Sequence, residues 1–260
     1  MPTKKRELLV VGNWKMNPPT IGNARKLFHD IQDRLGTRPT AVRVVVAPPF
    51  PYIAPLAALS PSGRVTLGAQ DVFYESGGAF TGEVSVSMLK SVGTRFIILG
   101  HSERRALGES DAEIYKDVLQ VVGNKMSAIV CVGESSRDKQ GGYFNTVEAQ
   151  LTAALKGLDP AAFSYVTIAY EPVWAVGSGK TPAPADVYEM KLFIQKVLTD
   201  LFGRTPAAKV RVLYGGSVTK YNATELLAEG QVDGFLVGGA SLRATEFAGI
   251  IACAREHTRK

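Results

Sequence analysis

The sequence predicts an α/β fold, a closed (β/α)8 barrel of eight parallel strands, with residues 1–260 forming a single domain. Eight short β-branched runs recur along the chain, and most are apolar throughout, as strands buried on both faces are. No charge run or Ser/Pro-rich linker divides the chain, and 260 residues leave room for a helix after each strand. An open doubly wound sheet is the alternative architecture.

The predicted elements follow one another in a regular order. The strands are Leu8–Val11, Val42–Ala47, Val65–Ala69, Arg95–Leu99, Ala128–Val132, Tyr165–Ala169, Val210–Leu213 and Gly234–Val237. Between Asp186 and Phe202, apolar residues recur every three or four positions, which predicts an amphipathic helix. Asn222 and Glu225 resemble a capping box that opens another helix.

The composition excludes several classes of protein. Two cysteines, Cys131 and Cys253, cannot build a disulfide framework or a Cys-based zinc site, which suits a reducing cytosol. The longest uncharged stretch, residues 44–63, contains five prolines and cannot be a membrane-spanning helix. Too few apolar residues follow the basic start for a signal peptide, so we expect a cytoplasmic protein with no membrane partner.

The net charge of +6 suggests nucleic acid or an anionic substrate as a partner. Residues 1–7 and residues 254–260 each carry a net charge of +2, so two thirds of the excess lies in the two tails. We therefore expect no specific nucleic-acid partner. The anion preference of the body of the chain must come from local groups.

Polar residues follow three of the predicted strands, where a barrel places its chemistry. The first strand leads to Asn13 and Lys15, the fourth to His101, and the sixth to Glu171. A His at a strand-to-helix junction faces free N–H groups that disfavour imidazolium. Partial burial of Glu171 would make it a better general base. Alternatively, Lys15 is a surface lysine, His101 a hydrogen-bonded core residue and Glu171 a partner in a salt bridge. A His-based metal site is not expected.

A glycine-rich segment follows Glu171 and matches neither common phosphate loop. Trp174 occupies the position of the first Walker A glycine, and Pro182 occupies that of the third Rossmann glycine. A mobile lid is the better interpretation. The predicted lid is Pro172, Val173, Trp174, Ala175, Val176, Gly177, Ser178, Gly179, Lys180, Thr181 and Pro182.

Paired glycines follow the last two strands, at Gly215-Gly216 before Ser217 and at Gly238-Gly239. Each pair alone is a common feature of tight turns. Glycines let a ligand approach the backbone, and free N–H groups that open a short helix bind phosphate. In a barrel, the loops after strands seven and eight form the usual phosphate site. The two pairs together therefore predict a phosphate-binding end of the site.

Six segments in order resemble the triosephosphate isomerase family, from the first strand to the eighth. They are Gly12–Asn17, Leu99–Arg105, Tyr170–Ala175, Gly177–Thr181, Tyr214–Val218 and Leu236–Leu242. The resemblance implies a TIM barrel that isomerises dihydroxyacetone phosphate and glyceraldehyde 3-phosphate through an enediolate. It implies a small phosphorylated triose as substrate, a role in glycolysis and gluconeogenesis, and neither cofactor nor metal.

The resemblance also assigns roles to residues. Glu171 would be the base that moves a proton between two substrate carbons, and neutral His101 would polarise the carbonyl. Lys15 would offset negative charge, with Glu103 orienting it, and Asn13 would hydrogen-bond the substrate. The phosphate would be held by Gly177 of the lid together with Ser217, Gly238 and Gly239.

A homodimer is implied by a further segment. The interface would include Gln70, Asp71, Phe80, Thr81, Gly82 and Glu83, with Thr81 reaching the partner's site near Asn13 and Lys15. Asp71 stands where many members of the family carry Asn.

Two other functions stay open at this point. A Schiff-base aldolase would need a desolvated lysine, but Lys15 has polar neighbours. A barrel that only binds phosphate would not need the set Asn13, Lys15, His101 and Glu171.

Overall fold

Eight parallel strands pair in chain order, and the last strand pairs with the first to close the ring. The protein is seen here as a computed structural model that describes residues 6–36, 41–60, 63–175 and 181–259. The closed TIM barrel predicted from the sequence is confirmed, and the β1–β8 pairing excludes the open sheet. The strands are β1 (Leu8–Asn13), β2 (Val42–Ala47), β3 (Thr66–Ala69), β4 (Phe96–Leu99), β5 (Ser127–Val132), β6 (Val166–Tyr170), β7 (Arg211–Tyr214) and β8 (Gly234–Val237).

Helices connect the strands and cover the outside of the barrel. They are α1 (Ile21–Leu35), α2 (Phe50–Ala57), α3 (Val86–Ser91), α4 (Ser102–Ala106), α5 (Asp111–Gly123), α6 (Gly142–Leu155), α7 (Pro184–Phe202), α8 (Arg204–Ala207), α9 (Ala223–Ala228) and α10 (Ala244–Arg259). Short 3-10 turns cover Pro160–Tyr165, Val173–Ala175 and Gly239–Leu242. No helix among the described residues is long and apolar enough to cross a membrane.

Both faces of each strand are buried, which explains why the strands are apolar throughout. In β1, Leu9 and Val11 belong to a cluster inside the barrel, whereas Leu8 and Val10 pack in the layer between strands and helices. Side chains fill the inside of the ring, so the chemistry of a barrel is confined to its ends.

Local sequence signals account for where several helices begin. Ser110 and Glu113 form a complete capping box at the start of α5. The helix predicted from Asp186 to Phe202 is confirmed and begins two residues earlier, with Pro184 in its first turn. The capping box predicted at Asn222 is wrong, although a helix does follow. The Asn222 side chain instead accepts a hydrogen bond from the Thr219 N–H, at 2.8 Å, and stabilises the preceding turn.

Candidate active site

A cavity of about 310 Å³ opens at the carboxyl ends of the strands. Residues that follow five different strands line it, and they include most of the side chains singled out in the sequence. Among them are Asn13, Lys15, His101, Glu171, Gly215, Ser217, Gly238 and Gly239. Glu103 borders a neighbouring cavity together with Lys15. Gly177, also predicted to bind phosphate, lies outside the described residues.

Lys15 is held in an unusual backbone conformation just past β1. Its φ of 52° lies in the left-handed region, where a residue other than glycine is strained. The Asn13 side chain is buried and accepts a hydrogen bond from the Lys15 N–H, at 3.0 Å. On the other side, the Gln70 amide donates to the carbonyl oxygens of Lys15 and Ala47, at 2.8 and 2.9 Å. These contacts fix the loop that carries the ammonium group.

The Lys15 ammonium points toward α4 and pairs with Glu103. Its Nζ lies 2.6 Å from Glu103 Oε1, and both side chains keep contact with solvent. This ion pair holds the ammonium group at the mouth of the cavity. Lys15 therefore presents a positive charge to the cavity.

His101 is the N-cap residue of α4 and is almost completely buried. Its Nδ1 accepts a hydrogen bond from the Glu103 N–H, at 3.2 Å, so Nδ1 carries no proton. The imidazole is therefore neutral with its proton on Nε2. That nitrogen lies 3.1 Å from Glu171 Oε1, in position to donate.

Glu171 follows β6 directly and is 2% exposed. Its Oε2 accepts a hydrogen bond from the Ser102 N–H, at 3.0 Å, while Oε1 faces His101. Residue 133 approaches the backbone of Glu171 and must be glycine, because a Cβ there would lie 1.7 Å from the Glu171 carbonyl oxygen. A carboxylate and a neutral imidazole thus meet in a site that excludes most water.

The opposite side of the cavity presents backbone rather than side chains. Gly238 precedes the 3-10 turn Gly239–Leu242, and Ser217 lines the same space from the loop after β7. Within the described part of the chain, the N–H groups of Ser217 and Gly239 donate to no backbone acceptor. Arg243, which the sequence analysis did not single out, adds a guanidinium to the lining. Free N–H groups and positive charge suit a phosphate.

Only the two ends of the predicted lid are described, Pro172–Ala175 and Thr181–Pro182; Val176–Lys180 lie outside the described residues. The first end is anchored on Glu134, a buried residue that the sequence analysis missed. Glu134 Oε1 accepts hydrogen bonds from Trp174 Nε1 and from the Tyr170 hydroxyl, both at 2.9 Å. Burial, reinforced by the charge of Glu134, raises the pKa of Tyr170, which therefore stays a donor.

Arg137 belongs to the same network, although the residues that follow it, 138–140, are exposed. The Arg137 side chain, however, is only 18% exposed, with Nε 3.1 Å from Glu134 Oε1. It also donates to the Tyr170 hydroxyl, at 3.1 Å. Because Tyr170 lies 33 positions from Arg137, no local pattern reveals the whole network.

The residues predicted at a dimer interface fall into two groups. Phe80, Thr81, Gly82 and Glu83 are exposed on a loop that projects before α3. Gln70 and Asp71, in contrast, lie at the base of that loop and line a cavity of about 180 Å³ beside Lys15. Gln70 also supports the Lys15 loop, a role that the sequence analysis did not assign to it.

Comparison with known proteins agrees with the architecture and with the ordered motifs. The model of the triosephosphate isomerase family matches residues 8–254. Triosephosphate isomerase of Moorella thermoacetica is 44% identical over 248 residues, 95% of this chain and 98% of the relative. That of Rhodopirellula baltica is 44% identical over 251 residues, covering 96% and 98%. That of Chloroflexus aurantiacus is 45% identical over 245 residues, covering 94% and 97%.

These matches span the whole barrel, from β1 to α10. They therefore include every strand end that lines the cavity. The chain belongs to the triosephosphate isomerase family, a family of isomerases.

Proposed function

We propose that this isomerase interconverts dihydroxyacetone phosphate and D-glyceraldehyde 3-phosphate through an enediolate, with Glu171 as the base. The carboxylate removes a proton from one carbon of the substrate and returns it to the neighbouring carbon. The carbonyl double bond moves from one of these carbons to the other, and a proton moves between their oxygens. No atom is therefore gained or lost. The observation that carries the proposal is the buried pair of Glu171 and neutral His101, 3.1 Å apart at the cavity wall.

His101 polarises the substrate carbonyl in this mechanism. Its Nε2 proton is the donor, and the Glu103 N–H holds the other nitrogen free of a proton. A neutral donor has an acidity closer to that of the enediol than imidazolium has, which favours transfer of protons between the two substrate oxygens. Asn13 adds a hydrogen bond from the neighbouring wall.

Lys15 supplies the positive charge that the intermediate needs. An enediolate bound next to a phosphate concentrates negative charge, and a fixed ammonium stabilises it without reorganising. The Glu103 partner and the supported backbone hold this ammonium in place. The N–H groups of Ser217, Gly238 and Gly239 would hold the phosphate, and Gly177 would join them from the lid.

A Schiff-base aldolase is the weaker alternative. Such an enzyme needs a neutral lysine amine. Lys15 is instead 30% exposed and paired with the Glu103 carboxylate at 2.6 Å, so it lacks the desolvated surroundings that such a nucleophile needs. Borohydride treatment with a sugar phosphate should trap no adduct at Lys15.

The test of the mechanism is Glu171→Asp in a coupled assay with glyceraldehyde 3-phosphate, alongside His101→Gln. Withdrawing the carboxylate by one methylene should lower kcat on the order of a hundredfold, because misplacement by about 1 Å has that effect. Glu256→Asp, the same change on the exposed face of α10, should leave kcat unchanged. A wild-type kcat in folded Glu171→Asp would refute the assignment.

We also propose that the chain forms one domain over residues 1–260 and works as a homodimer. Large apolar side chains are exposed beside the 180 Å³ cavity and on the projecting loop: Met16 is 93%, Phe80 43% and Phe50 37% exposed. Insertion of a partner's loop would bury them near Lys15. Light scattering should show weaker dimers for Thr81→Glu but not for Thr224→Glu, an exposed control on α9; equal assembly would contradict the proposal.

A cytoplasmic location is part of the same proposal. Both cysteines are free, with Cys131 buried inside the barrel and Cys253 partly buried. Free thiols persist in a reducing compartment.

A further inference from the structure

Three carboxyl groups meet near Arg104, outside the 310 Å³ cavity that Glu171 and His101 line. Asp71 follows β3, Glu109 lies between α4 and α5, and Asp117 lies on α5. One oxygen from each lies within 4.8 Å of those from the other two. We call these residues the acidic triad.

The acidic triad is buried and has too little positive charge to balance it. The Glu109 side chain is 6% exposed, and Asp117 is 3% exposed. Arg104 pairs with Asp71 Oδ2 and with Glu109 Oε1, each at 2.8 Å. Among the described residues, one guanidinium thus faces three carboxyl groups, and no salt bridge reaches Asp117.

A second observation concerns the hydrogen bonding of the acidic triad. Each member of the acidic triad has one buried oxygen without a hydrogen-bond partner in the described structure: Asp71 Oδ1, Glu109 Oε2 and Asp117 Oδ1. Buried polar atoms in folded proteins are nearly always paired, because an unpaired one costs free energy. Three such oxygens in one group, beside a single guanidinium, are a set of ligands that a bound cation would satisfy.

We propose that the acidic triad is a binding site for a divalent cation of the calcium class. Calcium takes only oxygen ligands, at 2.3–2.6 Å, so two oxygens of one shell lie at most about 5 Å apart. The 4.8 Å limit within the triad falls inside that span. A magnesium shell spans only about 4.2 Å and demands near-octahedral geometry, so calcium requires less rearrangement.

The cavity beside the acidic triad has room for the water ligands that would complete a coordination shell. The acidic triad borders a cavity of about 270 Å³, which Glu83 and Glu113 also line. A water occupies about 30 Å³ of liquid, so the cavity has room for several water ligands. The two further carboxylates increase the negative potential that draws a cation in. Tyr74 lines the same cavity and provides an optical probe.

The test measures cation binding by the full-length protein after treatment with EDTA. Titration calorimetry with CaCl2 should show one saturable site per chain, and excess CaCl2 should raise Tm by several degrees. MgCl2 should bind more weakly. Tb3+, a luminescent substitute for Ca2+, should emit when tyrosine is excited, because Tyr74 transfers energy to the bound ion.

The double variant Asp71→Asn with Asp117→Asn should weaken Ca2+ binding by about tenfold or more, because two charged ligands are lost.

Asp200→Asn is the matched control, since it removes a carboxylate that is 59% exposed on α7 and should leave Ca2+ binding unchanged. The double variant should also melt at a higher temperature than wild type in EDTA, because it relieves buried repulsion; this shows that it is folded. The proposal is overturned if wild type shows no saturable Ca2+ binding, or if the double variant binds Ca2+ as tightly as wild type. It is also overturned if CaCl2 leaves Tm unchanged at a protein concentration at which light scattering shows only dimers, because a partner's side chain would then occupy the place of the cation.

Discussion

Gly215 lies where the main chain passes the proposed base, and its substitution by alanine should displace that base. A Cβ at position 215 would lie 2.8 Å from Glu171 Cγ and 3.2 Å from the Tyr170 carbonyl oxygen. Ordinary van der Waals contact begins at 3.4 Å, so the Glu171 side chain must withdraw by about 0.6 Å. The backbone of Gly215 is not in the left-handed region, so the alanine itself adds no backbone strain.

The magnitude follows from that displacement. A misplacement of about 1 Å costs roughly a hundredfold in rate, so about 0.6 Å should lower kcat on the order of tenfold. KM should change less, because the phosphate-binding groups are untouched. Overpacking of this kind costs about 1–3 kcal/mol, a decrease of several degrees in Tm for a chain of this size.

The assay is steady-state turnover of glyceraldehyde 3-phosphate, together with a thermal melt. Gly123→Ala is the matched control, because a Cβ there meets nothing within 4 Å. Position 123 ends α5, so alanine should leave kcat unchanged and raise Tm slightly. A folded Gly215→Ala variant that turns over at the wild-type rate would show that the position of Glu171 does not limit catalysis.

Two further predictions concern buried carboxyl groups. Glu134→Gln should lower Tm by several degrees and change the fluorescence of Trp174, because hydrogen bonds to a charged acceptor contribute about 1.5–3 kcal/mol. An unchanged melt and spectrum would show that the carboxylate does not anchor the segment that carries Trp174. Burial raises the pKa of Asp71 to about 7 and that of Asp117 to about 8, so the folded chain binds more protons than the unfolded chain between about pH 4 and pH 8. In EDTA, the free energy of unfolding should therefore fall as pH rises through that window. Thermal melts should show a smaller fall for Asp117→Asn, and equal slopes would contradict the shift.

The barrel was predictable because its signal is local and repeated. Every predicted strand overlaps an observed one, with bounds that differ by at most two residues. Burial on both faces requires apolar residues in succession, and such a run is visible without knowledge of its neighbours. The side chains at strand ends were predictable for the same reason, since a barrel brings those ends together whatever the helices do.

Contacts between distant residues were not predictable in this way. Glu134 follows β5, yet its partners Tyr170 and Trp174 come from β6 and the lid. Asp71 and Asp117 are 46 positions apart, and each alone resembles an ordinary surface carboxylate. Asn222 shows the converse failure, because a local capping pattern was present but the amide found a better partner in Thr219.

Closure of the ring between β1 and β8 has a consequence for when the protein becomes active. Asn13 and Lys15 come from the first strand, whereas Gly238 and Gly239 come after the last, more than 220 residues later. Ser241 Oγ donates to the Asn13 carbonyl oxygen, at 3.3 Å, across this join. During synthesis, the last strand leaves the ribosome only after the other seven, and pairing over so long a loop is slow. A nascent or partly folded chain would therefore have the proposed base and electrophile but only half of the proposed phosphate site. Turnover would then report completion of the ring.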